Sequence, residues 1–221
     1  MTQVAKTSDT DLKNAVVLEL SWLPSIDSSH IGVTADDGAI TLTGQVHSYP
    51  EKVAAGKAAL RVKGVHALAQ EISVHTKWTT RTDTDIAREA GEALERAVNV
   101  PDTIKATVTA RVITLTGEAT WHYQSTAAAW AVHTIKGVVG VHDRVQIRSG
   151  AVLADVKASI QAALVRNARF EGDYITVMTD SGGSITLEGV VRSPGERQQA
   201  EQVAWSAPGI TSITNNLTIQ Y

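Results

Sequence analysis

The sequence contains no cysteine. That absence excludes disulfides, thiolate nucleophiles and cysteine-ligated metal, and leaves no residue in the chain to carry a thioether-linked lipid. Long apolar runs are missing as well. No stretch approaches the roughly 18 apolar residues that a transmembrane helix needs. The opening MTQVAKTSDTDLKNAVVLELSW is polar over positions 6–14 apart from Leu12, and its apolar residues from there on are spaced like a helix face rather than like a secretory leader. The chain therefore reads as soluble and cytoplasmic, or periplasmic if a leader has been removed ahead of residue 1. Charge of one sign is scarce too. A net charge of −3 and a pI near 6.2 do not suit nucleic acid, whose phosphates call for clustered Lys and Arg. With 43% hydrophobic and 19% charged residues, the composition is that of a globular protein.

Motifs that carry chemistry are also absent. The seven histidines (30, 47, 66, 75, 122, 133 and 142) form no HExxH or other compact metal spacing, and read as scattered surface residues. Gly183-Ser184 is not part of a G-x-S-x-G elbow. Neither G-x-x-x-x-G-K nor G-x-G-x-x-G occurs. Asp36-Asp37 is an acid pair, but it sits at an expected turn. The expectation is a protein without catalytic residues, metal or cofactor.

A threefold repeat is what the chain does have. ITLTG at Ile40–Gly44, ITLTG at Ile113–Gly117 and ITLEG at Ile185–Gly189 mark three equivalent segments. A second landmark follows each, 20 residues after its glycine: Gly64-Val65, Gly137-Val138 and Gly209-Ile210. Two landmarks at one shared offset define a unit of about 70 residues. Ahead of each first landmark, apolar residues follow helical spacing: Leu12, Val16, Leu20; Ile86, Ala90, Ala93, Leu94; Val156, Ile160, Ala163, Leu164. Asp11, Asp85 and Asp155 place a carboxylate in each first turn, which suits the helix dipole.

Alternating apolar residues around Asp37-Gly38, and around Ser181-Gly182-Gly183, predict hairpins. The second copy has Ala110-Arg111 at that place. Those residues tolerate positive φ poorly, so a turn of different type or length is expected there. An alanine-rich helix follows, with faces Ala55, Ala58, Ala59, Val62; Ala128, Ala131, Val132, Ile135; and Ala200, Val203, Ala204, Ala207. Gly64, Gly137 and Gly209 are expected to stop these helices in the left-handed cap position. A closing strand completes the unit. The fold class is thus α+β, with three tandem αββαβ modules at 8–76, 82–148 and 151–220. Each has two helices on one face of a three-stranded mixed sheet.

This pattern of an acidic first turn, a hairpin ending L-T-G, an alanine-rich helix and a closing G-V strand resembles the BON domain family. The arrangement as a whole resembles OsmY-like, soluble triple-BON proteins of Gram-negative bacteria. The resemblance implies an αββαβ fold without known catalysis. It also implies association with phospholipid surfaces, osmotic and other stress responses, and chaperone-like roles.

The unshared aromatics point to a site. Trp121-His122-Tyr123 stand where the other copies have Ser48-Tyr49-Pro50 and Ser193-Pro194-Gly195. Trp130 and Trp22 fall away from the core faces of their helices, and Trp205 falls on the flank of its helix. Trp and Tyr with one wet edge suit membrane interfaces and protein contacts. The leading expectation is a noncatalytic, stress-related binding protein. It would contact anionic phospholipid surfaces through Trp121, His122, Tyr123, Trp130 and Trp205, with Lys136, Arg111 and Arg144 supplying positive charge near Trp121. The alternative is a protein-interaction scaffold or holdase-like chaperone without lipid binding, able to self-associate through sheet edges. The competing structural role for these aromatics is packing between adjacent modules.

Overall fold

The computed structural model describes residues 8–78, 80–148, 156–166, 175–180 and 182–220. The first repeat runs α1 (Asp9–Trp22), β1 (Ile31–Asp36), β2 (Ala39–Val46), α2 (Tyr49–Ala59) and β3 (Ala67–Val74). The second runs α3 (Asp83–Arg96), β4 (Lys105–Thr109), β5 (Val112–Ala119), α4 (His122–Val132) and β6 (Gly140–Ile147). The third runs α5 (Val156–Arg166), β7 (Ile175–Thr179), β8 (Ser184–Val191), α6 (Pro194–Trp205) and β9 (Ser212–Ile219). Each sheet has its second strand in the middle, antiparallel to the first and parallel to the third. The expected αββαβ architecture with mixed sheets is therefore what the chain adopts.

Each repeat has its own core. In the first, Leu12, Val16 and Leu20 of α1 and Ala55, Ala58 and Ala59 of α2 meet Ile40, Leu42 and Val46 of β2. Both helices thus cover the same face of the sheet. The other two repeats repeat the scheme around Ile113 and Leu115, and around Ile185 and Leu187. The glycine that ends each L-T-G or L-E-G segment sits inside the central strand at positive φ, with values of 110, 122 and 137° at Gly44, Gly117 and Gly189. At Gly117 a Cβ would stand 2.2 Å from the Thr103 carbonyl oxygen, so the close approach of the two backbones admits only glycine.

Two sequence expectations are corrected. The Ala110-Arg111 turn is not different from the Asp37-Gly38 turn. Both are two-residue connections, closing Thr109 on Val112 and Asp36 on Ala39. Ala110 and Arg111 adopt φ of 50 and 64°, Asp37 and Gly38 φ of 44 and 80°, the signs of a type I′ hairpin. The reason is a carboxylate from the preceding helix. Asp83 Oδ2 accepts from Ala110 N at 2.8 Å and Oδ1 from Arg111 N at 2.9 Å. Asp9 makes the same two bonds more loosely, at 3.2 and 3.4 Å, to Asp37 N and Gly38 N. The third repeat has Leu153 at the aligned position. There Asp180, within the hairpin itself, accepts from Gly182 N and Ser184 N, both at 2.9 Å.

The second correction concerns the glycines at 64, 137 and 209. They keep positive φ of 98, 95 and 85°, but they do not cap the helices. The helices end earlier, at Ala59, Val132 and Trp205, with helical cap residues Leu60, His133 and Ser206. Short i→i+3 bonds then carry the chain onward, such as Val62 N to Ala59 O and Val65 N to Val62 O. The glycine lets the chain leave this tightened tail for the closing strand. Asp11 and Asp85 lie in first turns as expected, capped by Ser8 and Thr82. Asp155, Ser181 and residues 149–150, between the second and third expected modules, lie outside the described residues.

Replacing Asp83 by alanine removes two charge-assisted bonds from a turn in left-handed geometry. The expected loss is about 1–2 kcal/mol, measured by chemical denaturation. Arg111→Gly relieves the strained φ and should recover part of that loss when added to Asp83→Ala. Equal stability of Asp83→Ala and the wild type would contradict this account of the turn.

Candidate functional site

The strand-to-helix corner is where the three copies diverge. In the first repeat Ser48 Oγ accepts from Glu51 N at 3.3 Å, and Glu51 accepts from Asp27 N and His47 N, each at 2.8 Å. In the third, Ser193 Oγ accepts from Glu196 N at 3.1 Å, and Glu196 from Arg192 N at 2.8 Å. This is the serine cap with an acid three residues on. It was legible in the sequence as S-x-x-E at 48–51 and 193–196. The second repeat places Trp121 at the cap, where the side chain has no oxygen to offer. Gln124 Oε1 still accepts from Thr120 N at 2.9 Å and Trp121 N at 3.0 Å. One hydroxyl cap is thus given up for an indole, at a cost of about 1 kcal/mol.

That indole helps line a groove of about 900 Å³ between α4 and the end of α6. Trp121, His122, Tyr123 and Trp130 come from the second repeat, and Trp205 from the third. All five side chains singled out from the sequence therefore converge on one place. The groove is completed by Asn99, Thr126, Ala127, Gln202 and Ser206, which carry no signal that sequence reasoning used. Trp130 is 67% exposed and Tyr123 54%. Tyr123, Thr126, Ala127 and Trp130 follow i, i+3, i+4, i+7 spacing, opposite the buried face of Ser125, Ala128 and Val132. The sequence of α4, HYQSTAAAWAV, has no Asp, Glu, Lys or Arg, whereas α2 and α6 carry both signs. Among the described residues, no Asp, Glu, Lys or Arg lines the groove.

The rings are held by stacking. His122 lies on Trp205 at 4.1 Å between centroids and 14° between planes, so this pair joins the second repeat to the third. Trp130 stacks on His133 at 4.1 Å, and His133 Nδ1 is 2.7 Å from the Trp130 carbonyl oxygen. Trp121 and Tyr123 stand 6.5 Å apart with a 31° tilt. His122 is thus no scattered surface histidine. Burial pushes its pKa below the usual range, with Asp143 and Glu201 pulling the other way.

The cations expected beside Trp121 stand elsewhere. Lys136 lies 4.6 Å from the ring centroid of Trp78, and Lys77 lies 5.8 Å from the same ring. Arg111 is in the hairpin turn held by Asp83. Arg144 is exposed on β6, in register with Thr116. Trp78 belongs to the link between the first two repeats. The same link is fastened by Arg81, which meets Glu89 at 2.5 Å and the Lys136 carbonyl at 3.3 Å. Trp22 is 81% exposed on α1, away from the groove. Among the described residues no group of three His, Asp or Glu side chains could hold a metal ion. Among them, too, no helix is long and apolar enough to cross a membrane.

The BON domain family model matches residues 8–76, 82–149 and 153–221. This chain belongs to the BON domain family. BON domains are associated with stress-related and phospholipid-binding proteins. None of the curated proteins compared with this BON chain matches it. Two solved structures of CdsD, a structural protein of the type III secretion system of Chlamydia trachomatis, are similar at a distance. One, of its C-terminal domain, is 14% identical over 100% of both chains, with a TM-score of 0.27. The other is 15% identical over 95% of this chain and 92% of that one, with a TM-score of 0.26. Likeness at that level carries nothing about what the BON chain binds.

The depressed His122 pKa has a stability consequence. The folded state prefers the neutral ring, so the contribution is complete above the unfolded pKa near 6.5. It is lost as pH falls through the lower folded value. The expected outcome is a melting temperature that drops on acidification from neutral pH, with a smaller drop in His122→Phe. Calorimetry of both proteins across that range checks it, and equal drops would remove His122 as the cause.

Proposed function

We propose that this BON-family chain is a noncatalytic binding protein whose partner docks in the groove between the second and third repeats, and that this partner is a protein. The supporting observation is the lining: three tryptophans and a tyrosine in one groove, with no Asp, Glu, Lys or Arg among the described residues that line it. Aromatic anchors with a rim of amides and hydroxyls are the composition of protein contact sites. Trp121 strengthens the reading, because it stands where both sibling repeats keep a capping serine. A residue that lowers local stability and lines a groove fits a binding role better than a packing role. His122 and Trp205 do serve packing, since they join two repeats. Tyr123 and Trp130 remain open on α4. A holdase-like or scaffold role in stress is the form this takes within the family.

A second reading has its own observation. An anionic phospholipid surface needs positive charge beside an aromatic ring. Among the described residues that combination occurs at Trp78, which is 39% exposed and flanked by Lys77 and Lys136, and not in the groove. On this reading lipid contact involves the link between the first two repeats.

The two surfaces separate by mutation. Trp121→Ser should restore the serine cap and leave the melting temperature equal or higher. Trp121→Ser and Trp130→Ala should each cut suppression of aggregation of a model client by at least about threefold. Lys77→Glu with Lys136→Glu should abolish co-sedimentation with anionic vesicles and spare client binding. Client suppression unchanged in both groove variants would sink the groove as the docking site.

A further inference from the structure

We infer that two copies of this chain associate through α1, packed antiparallel about a two-fold axis at Leu18. The surface is separate from the groove, and nothing in the inference rests on the groove. Leu18 is 69% exposed and Trp22 81%, and Val17 beside them is 42% exposed. Leu18 and Trp22 lie on the outer side of α1, opposite the buried Leu12, Val16 and Leu20, with Val17 on the flank. Positions 11, 15, 18 and 22 alternate steps of four and three residues, the spacing of a helix-packing seam. The seam reads Asp11, Ala15, Leu18, Trp22, with Asn14 and Ser21 along one side. Ala15 is half-buried, and Asn14 and Ser21 are exposed.

The sibling helices carry the same seam in a form suited to water. In α3 the aligned positions are Asp85, Glu89, Glu92 and Arg96. All four are charged and paired within the chain: Arg88 meets Asp85, Arg81 meets Glu89 and Arg96 meets Glu92. In α5, Ser159, Ala162 and Arg166 stand where α1 has Ala15, Leu18 and Trp22. The shared fold therefore does not call for leucine and tryptophan there, and an apolar patch kept in one copy marks a contact.

The seam complements itself in one orientation. With Leu18 on the axis of an antiparallel pair, Leu18 meets its own counterpart. Trp22 then falls opposite Ala15 of the second copy, large against small, twice by symmetry. Ser21 falls opposite Asn14. The Ser21 hydroxyl donates to the Leu18 carbonyl at 2.9 Å, so its oxygen is left to accept from the Asn14 amide of the second copy. A parallel pair would instead set Asp11 against Asp11 and Trp22 against Trp22. The carboxylate next to Leu18 in sequence, Glu19, is bound by Arg61 at 2.8 Å. Neither Lys nor Arg stands on the seam, so it has nothing to draw an anionic headgroup. The 14 residues of α1 make a rod of about 21 Å. Two such helices bury less than the roughly 800 Å² per partner of a standard interface, so the dimer is weak, with a dissociation constant on the order of 100 µM.

The test is sedimentation of the full chain from about 10 µM to about 1 mM. The expected result is a monomer of 23.5 kDa at the low end and twice that mass at the high end. The Trp22 indole N–H resonance should move with concentration while those of Trp121 and Trp130 stay still. Leu18→Glu and Trp22→Arg install the residues that α3 carries, on exposed positions that leave the core intact. Each should raise the dissociation constant at least about tenfold, and Trp121→Ser should leave it unchanged. Because the chain has no cysteine, a single introduced one reads the register. Leu18→Cys, on the axis, should form a disulfide-linked dimer on oxidation. Asp11→Cys should not, since its two copies stand about 21 Å apart in the antiparallel pair. A monomer at every concentration overturns the inference, as does a dimer indifferent to Leu18→Glu or cross-linked through Asp11→Cys. If the chain stays monomeric while Leu18→Glu loses binding to vesicles or to a client protein, the face belongs to that occupant and the dimer falls.

Discussion

Everything in each repeat depends on how closely the second helix can lie on its sheet. The contact is made by alanine: Ala55, Ala58 and Ala59, then Ala128, then Ala200 and Ala204, all at 0% exposure. Small side chains bring the helix axis down onto the central strand, and the buried Ile and Leu of that strand fill what remains. A core of this size is marginal for a unit of about 70 residues. The repeats therefore lean on one another, and the place where they do so is set by the same helix. Its first residue projects toward the next repeat. Tyr49 packs against the core of the second repeat and donates to the Val141 carbonyl at 3.4 Å. His122, at the equivalent position, stacks on Trp205. Pro194 holds that position in the third repeat.

Much of this was legible from spacing. Periodicity located six helices, three hairpins and three closing strands because the apolar positions are periodic and are buried or half-buried. The hairpin of the second repeat was misread because intrinsic preference was weighed without the tertiary partner. Ala110 and Arg111 disfavour positive φ on their own, and a carboxylate 27 residues upstream overrides them. The helix-ending role given to Gly64, Gly137 and Gly209 was misplaced for a related reason. A tightened tail of i→i+3 bonds separates helix from glycine, and composition does not distinguish that tail from one more helical turn.

The groove was half legible. Aromatics where the repeat pattern asks for none identified Trp121, His122, Tyr123, Trp130 and Trp205. Two further signals went unused: an α4 sequence free of charge, and a capping serine replaced by tryptophan. The contribution of Asn99, Gln202 and Ser206 depends on how two repeats face each other, which no single repeat encodes. The expected cations failed for the same reason. Lys136 is 15 residues from Trp121 in sequence, yet it reaches across to the preceding linker.

The carboxylates that hold the hairpins have a consequence for how the chain assembles. In the first two repeats the aspartate comes from the start of the preceding helix, so hairpin and helix must meet before the turn is secured. In the third, Asp180 is only a few residues from the amides it binds, so that carboxylate reaches the turn without a preceding helix. Tandem copies of one sequence run the risk of exchanging elements between neighbours. Asp9 and Asp83 are interchangeable in kind, so a misplaced helix could satisfy either of the first two hairpins. The third hairpin needs no borrowed carboxylate. Its turn carboxylate comes with the hairpin itself, so an exchange of this kind concerns the first two repeats.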